Sequence, residues 1–91
     1  MKFSDGREYR GSWLNDQMHG HGEFIWPQGK SYIGNYENDL KHGFGKMTYG
    51  DGSWYEGYWN EGKQNGKGVF VDPSGRRQEG NWQNGIIVNR I

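Results

Sequence analysis

The chain has 91 residues, with 11 Lys+Arg against 11 Asp+Glu, 17 glycines, 15 aromatic residues and no cysteine. A net charge of zero argues against nucleic-acid binding through phosphates, which draws on a clustered basic excess. The lack of cysteine excludes a disulfide framework and a thiolate zinc site and is compatible with the cytosol. No apolar run approaches the roughly 18 residues of a membrane-spanning helix.

Leu, Ile, Val and Phe together make only 14 of the 91 residues, too few for an aliphatic α/β core. The rings compensate, because each buried aromatic removes about 150–250 Å² from water. Disordered chains are poor in aromatics, so the composition favours a folded, ring-based core.

The first residues, Met1–Glu8, read as the end of a repeat unit, with Asp5-Gly6 matching Asp51-Gly52 further on. From Tyr9 onward a step of 23 residues governs the chain. It links Tyr9, Tyr32 and Tyr55; Gly11, Gly34, Gly57 and Gly80; and Trp13, Tyr36, Trp59 and Trp82. It also links Gly20, Gly43 and Gly66, and Gly22, Gly45 and Gly68. One array therefore fills residues 1–91: a partial unit at 1–8, units at 9–31, 32–54 and 55–77, and a partial or capping unit at 78–91. The chain starts and stops in mid-repeat, either as a piece of a longer array or with worn caps.

Strands are predicted near 7–14, 17–27, 30–37, 40–50, 53–60, 63–73, 76–83 and 86–90. Asn15-Asp16, Asn38-Asp39, Glu61-Gly62 and Asn84-Gly85 mark one set of turns, and Gln28-Gly29, Asp51-Gly52 and Ser74-Gly75 the other. Asn, Asp and Gly tolerate the positive φ of tight two-residue hairpins. The longer strand of each hairpin must shed its surplus in a bend or bulge, for which Gly20/Gly22, Gly43/Gly45 and Gly66/Gly68 stand ready. No segment carries a helical apolar stripe, so no helix is expected. Alternation puts Tyr32, Gly34 and Tyr36 on one face, where rings can lie over bare backbone. The fold class is all-β: an elongated antiparallel meander of stacked hairpins, about eight strands, growing by addition.

Tyr55-Glu56-Gly57-Tyr58-Trp59-Asn60-Glu61-Gly62, followed by Gly66-Lys67-Gly68, resembles the MORN repeat (membrane occupation and recognition nexus). Tyr32 through Gly45 and Tyr9 through Gly22 share the pattern. The fourth unit departs from it, with Gln78 for the opening Tyr and Asn89 and Ile91 for two glycines. The resemblance implies a bent, grooved sheet of hairpins. It is shared by axonemal and ciliary spoke-head proteins, cytoskeletal scaffolds, junctional membrane proteins, a lysine methyltransferase and plant phosphoinositide kinases. In the enzymes among them the chemistry belongs to another domain.

The residues themselves offer little chemistry. His19 and His42 fall one unit apart, too far to share an ion, and His19 and His21 lack further ligands at a clear spacing. Ser4, Ser12, Ser31, Ser53 and Ser74 sit at turns or strand starts rather than in a pocket with a base. No catalytic residue, metal or cofactor is therefore expected. Aromatic residues are enriched at interaction hot spots. Most of the Tyr/Trp columns are needed to build the sheet, so the rings that vary between units carry the expectation of partner contact: Trp26, Tyr49, Phe44, Trp54 and Tyr58. They are expected to line a concave face that receives an extended or helical segment of a protein partner. A scaffold role follows, in a cytoplasmic setting: cytoskeletal, axonemal or at the cytoplasmic face of a membrane. Lys63, Lys67, Arg76 and Arg77 are the candidates for the alternative, an anionic-phospholipid site, and a third reading is an accessory domain of a lipid kinase or methyltransferase. Ile86-Ile87-Val88 forms an apolar edge that allows edge-to-edge self-association.

Overall fold

The computed structural model describes residues 1–90. Eight strands form one antiparallel sheet in sequence order: β1 Glu8–Leu14, β2 Gln17–Ile25, β3 Ser31–Glu37, β4 Leu40–Thr48, β5 Trp54–Asn60, β6 Lys63–Val71, β7 Arg77–Gln83 and β8 Ile86–Arg90. The molecule measures 38 × 26 × 15 Å, and among the described residues the one sheet is its only layer.

Turn chemistry dictates this order. Asn15-Asp16 and Asn38-Asp39 have positive φ at both residues, as do Glu61-Gly62 and Asn84-Gly85. That is the backbone twist that closes a two-residue hairpin. The second set of turns is wider than the expected two residues. Trp26 N–H donates to the Lys30 carbonyl at 2.9 Å, and Tyr49 to Ser53 and Asp72 to Arg76 do the same. Between them lies a three-residue reversal, a 3₁₀ turn at Pro27–Gly29 in the first case. Each long strand consequently ends two residues earlier than the sequence suggests. Pro27 offers no donor to extend the ladder, and Gln28 and Gly29 turn at positive φ.

The surplus in the long strands is shed at the expected glycines. Gly11 faces Gly22 while Trp13 faces Met18, so β2 spends four residues where β1 spends two. Gly34/Tyr36 and Gly57/Trp59 repeat that shift. Gly20 absorbs it at φ +87°, a value costly for any residue with a Cβ. The units are then stitched together at the hairpin tips. Asp39 N–H donates to the Met18 carbonyl at 3.0 Å, Gly62 to Lys41 at 3.0 Å and Gly85 to Gln64 at 3.0 Å.

The core occupies one face only. Tyr9, Tyr32 and Tyr55 are fully buried, and Tyr36, Trp59, Trp82, Phe24 and Met47 nearly so. Their rings form an edge-to-face ladder at 5.0–5.6 Å: Trp13 to Tyr9, Tyr36, Tyr32, Trp59, Tyr55 and finally Trp82. Such contacts favour aromatic pairs beyond simple area burial. At the outer edge of β1, Tyr9 exchanges backbone hydrogen bonds with Met1 at 2.7 and 2.8 Å.

Candidate interaction surface

The ladder depends on a local device repeated in three units. Each opening tyrosine leans along its own strand and its hydroxyl donates to the carbonyl three residues on: Tyr9 to Ser12 and Tyr32 to Asn35 at 2.9 Å, Tyr55 to Tyr58 at 3.2 Å. The ring then lies flat over a facing pair of glycines. A Cβ at Gly34 would collide with the Gly45 Cα, and one at Gly45 would strike the Tyr32 hydroxyl. Burial raises the pKa of all three phenols, that of Tyr55 to about 12. The tryptophan column adds a bond between units: the Trp59 indole donates to the Gly45 carbonyl at 3.1 Å and the Trp82 indole to Gly68 at 3.0 Å.

The same face is curled. Lys41 is the second residue of β4 and Trp26 follows the end of β2, so residues from opposite strand ends meet. The Lys41 ammonium nonetheless stands 5.8 Å from the Trp26 ring centroid. One unit on, Gln64 reaches the Tyr49 hydroxyl at 3.4 Å. The tyrosine row is fully buried, and these pairs cover its middle while Trp26 and Tyr49 stay half-buried beside it.

The rings singled out in the sequence divide between the two faces. Trp26 and Tyr49 lie on the tyrosine face, half-buried and packed against the core. Trp26 sits 4.4 Å from Phe24, and Tyr49 sits 6.5 Å from Phe70. Phe44, Trp54 and Tyr58 lie on the opposite face, since Phe44 faces Tyr58 across β4 and β5 and alternates with the buried Met47 row. Phe44 and Tyr58 form an exposed edge-to-face pair at 5.5 Å, 49% and 48% accessible, with Ile33 near by at 47%. Trp54 is capped by its own neighbour, the Lys46 ammonium at 4.6 Å from its ring. The rings thus define two surfaces, where one was expected.

The four basic residues do not converge. Lys63 starts β6 while Arg76 follows the turn at its far end. Arg76 is tied by its backbone to the Asp72 carboxylate at 2.9 Å, and the Arg77 guanidinium lies 3.9 Å from Glu79. His19 and His42 sit in the bulges, His42 3.8 Å from Glu37. Among the described residues no three His, Cys, Asp or Glu side chains gather as a metal group, and no helix is long and apolar enough to cross a membrane.

The tyrosine-over-glycine device matches a known repeat. The family model described as MORN repeat matches residues 9–31, 32–54 and 55–76. The chain belongs to the MORN-repeat family. A search of curated proteins returned no match. MORN repeats occur in protein-interaction and membrane-association modules, and the repeat itself is a non-catalytic module.

One residue of this MORN sheet escaped the sequence reading. The Lys41 ammonium lies among three rings, 5.5 Å from Tyr32, 5.6 Å from Trp59 and 5.8 Å from Trp26. Burial lowers its pKa, and the Lys30 ammonium, itself 4.8 Å from the Trp26 ring, lowers it further. A signal was available: Lys41 stands in a 23-residue column with Met18 and Gln64, and it alone is charged there.

Proposed function

We propose that this MORN sheet is a docking module for a segment of a partner protein, seated on the ring-lined tyrosine face within a larger cytoplasmic assembly. The observation that carries the reading is the half-burial of Trp26 and Tyr49 on the tyrosine face of a sheet that has no second layer among the described residues. Rings that are anchored on one side and open on the other lose little entropy on binding and add a large contact area. The exposed Phe44–Tyr58 pair offers a second, flatter contact on the opposite face. The phospholipid alternative draws less support, because Lys63, Lys67, Arg76 and Arg77 are spread along the strands instead of forming the cluster that anionic headgroups attract.

The test compares the faces. Alanine at Trp26 and Tyr49 is expected to abolish capture of the partner from native extract, while the circular-dichroism melt stays cooperative. A Phe44→Ala, Tyr58→Ala variant should retain capture. Retention by the first variant and loss by the second would move the docking site to the other face. Retention by both would refute ring-mediated docking.

A further inference from the structure

Among the cross-strand pairs, two charged side chains lie on the tyrosine face, Lys41 and, on the last strand, Arg90. Around the first unit Arg7 lies against Phe3 and Phe24, and Asp16 and Asp39 stand beside Trp13 and Met18, with Asp39 accepting from the Met18 N–H at 2.7 Å. The Lys41 ammonium makes no ion pair or hydrogen bond among the described residues, although the side chain is half-buried. Its three ring contacts lie near the outer limit of about 6 Å for cation–π attraction. They do not replace a counter-ion for an ammonium withdrawn from water. Packing does not demand the charge either: neutral Met18 and Gln64 fill the equivalent places in the neighbouring units. Lys30 adds a second cation close by, its ammonium 4.8 Å from the Trp26 ring.

We propose that Lys41 is the anchoring contact for a carboxylate of the docked segment: an acidic, extended stretch of a partner protein whose Asp or Glu meets this ammonium while apolar neighbours lie on Trp26 and the adjoining rings. The proposal rests on the docking reading above and names the chemistry of its partner. Charge complementarity argues for it, since the tyrosine face offers an unpaired cation in a ring-lined setting where a charge-assisted hydrogen bond is strong. A protein segment fits better than a bilayer, because one or two cations recessed among rings cannot address a headgroup surface.

Short random peptides displayed on phage can be selected on the intact chain, on Lys41→Gln and on Trp26→Ala. Gln is the residue of the next unit at this place, so the variant should melt as the parent does. The expected result is peptides with Asp or Glu at one fixed position beside apolar residues. Their synthetic forms should bind Lys41→Gln about tenfold or more weakly. Exchanging the peptide's acid for its amide should cause the same loss on the parent and none on Lys41→Gln. Peptides that need Trp26 yet show no acidic preference would overturn the Lys41 proposal and leave the docking reading standing. Failure to select any Trp26-dependent peptide would overturn both. Binding to phosphatidylserine vesicles that falls in Lys41→Gln, with peptide binding unchanged, would reassign Lys41 to lipid and overturn the proposal.

Discussion

The hairpin β3–β4 and the hairpin β7–β8 occupy equivalent places in the repeat, yet they are built differently. In the first, Tyr32 lies over the Gly34/Gly45 pair and bonds the Asn35 carbonyl. In the second, Gln78 stands where the tyrosine would, and Gly80 faces Arg90. Ile86 and Val88 are largely exposed. What remains of the shared design is Trp82, whose indole still reaches back to Gly68. The tyrosine clamp therefore closes each hairpin on itself, whereas the tryptophan ties a hairpin to the one before it.

The sharpest way to break that contrast is to remove the clamp. Tyr32→Ala deletes a fully buried ring from the middle of the ladder and leaves the glycine pair uncovered. It is expected to cost about 3–5 kcal/mol, enough to unfold a domain of this size or nearly so. Gln78→Ala, at the equivalent place in the last hairpin, should cost no more than about 0.5 kcal/mol. Urea denaturation of both variants makes the comparison. Equal losses would show that the tyrosine ring is not what distinguishes the two hairpins.

Much of this contrast was legible before any coordinates. The Asn-Asp, Asn-Gly and Glu-Gly pairs located four hairpins because positive φ at two successive residues leaves few alternatives. The 23-residue glycine columns placed the bulges and the ring-covered backbone. The width of the second turns was less legible, because Gln28 adopts positive φ without being Gly, Asn or Asp. The faces of Trp54 and Tyr58 could have been separated from those of Trp26 and Tyr49 by alternation through the buried Tyr55 and Trp59. Lys41 carries the weakest trace in the sequence. Its contact with Trp26 joins opposite strand ends, so it exists only because the sheet curls, and periodicity within one strand carries no record of that.

A milder test titrates the clamps rather than deleting them. The folded pKa of Tyr55 is raised to about 12 against an ordinary value near 10. Burial also raises Tyr32 and Tyr36. The unfolded chain therefore releases these protons first. The stability they represent is complete below pH 10 and is lost as pH rises from there through 12 and beyond. For Tyr55 alone the full loss amounts to about 3 kcal/mol. Thermal melts between pH 9 and 12 should fall steeply at the alkaline end. A Tyr55→Phe variant, which keeps the ring and removes the proton, should fall less. A flat profile in the parent would mean that the phenols are already hydrated and that the clamps are looser than their burial implies.

The smallest effect separates the two roles most cleanly. Trp59→Phe and Trp82→Phe each remove an indole donor and leave a glycine carbonyl, at Gly45 or Gly68, without that partner. A lost bond of this kind costs about 1 kcal/mol. In the middle of the sheet the loss must appear as global stability, because β5 is paired on both sides and cannot open alone. At the end, β7 and β8 can part from β6 while the clamped units persist, so the same chemical change should appear as faster amide exchange in 77–90 with little change in the global melt. Hydrogen exchange followed residue by residue distinguishes the cases. If Trp82→Phe lowers protection uniformly across the whole sheet, the last hairpin is as firmly closed as the tyrosine-clamped ones, and something other than a ring over glycine holds it.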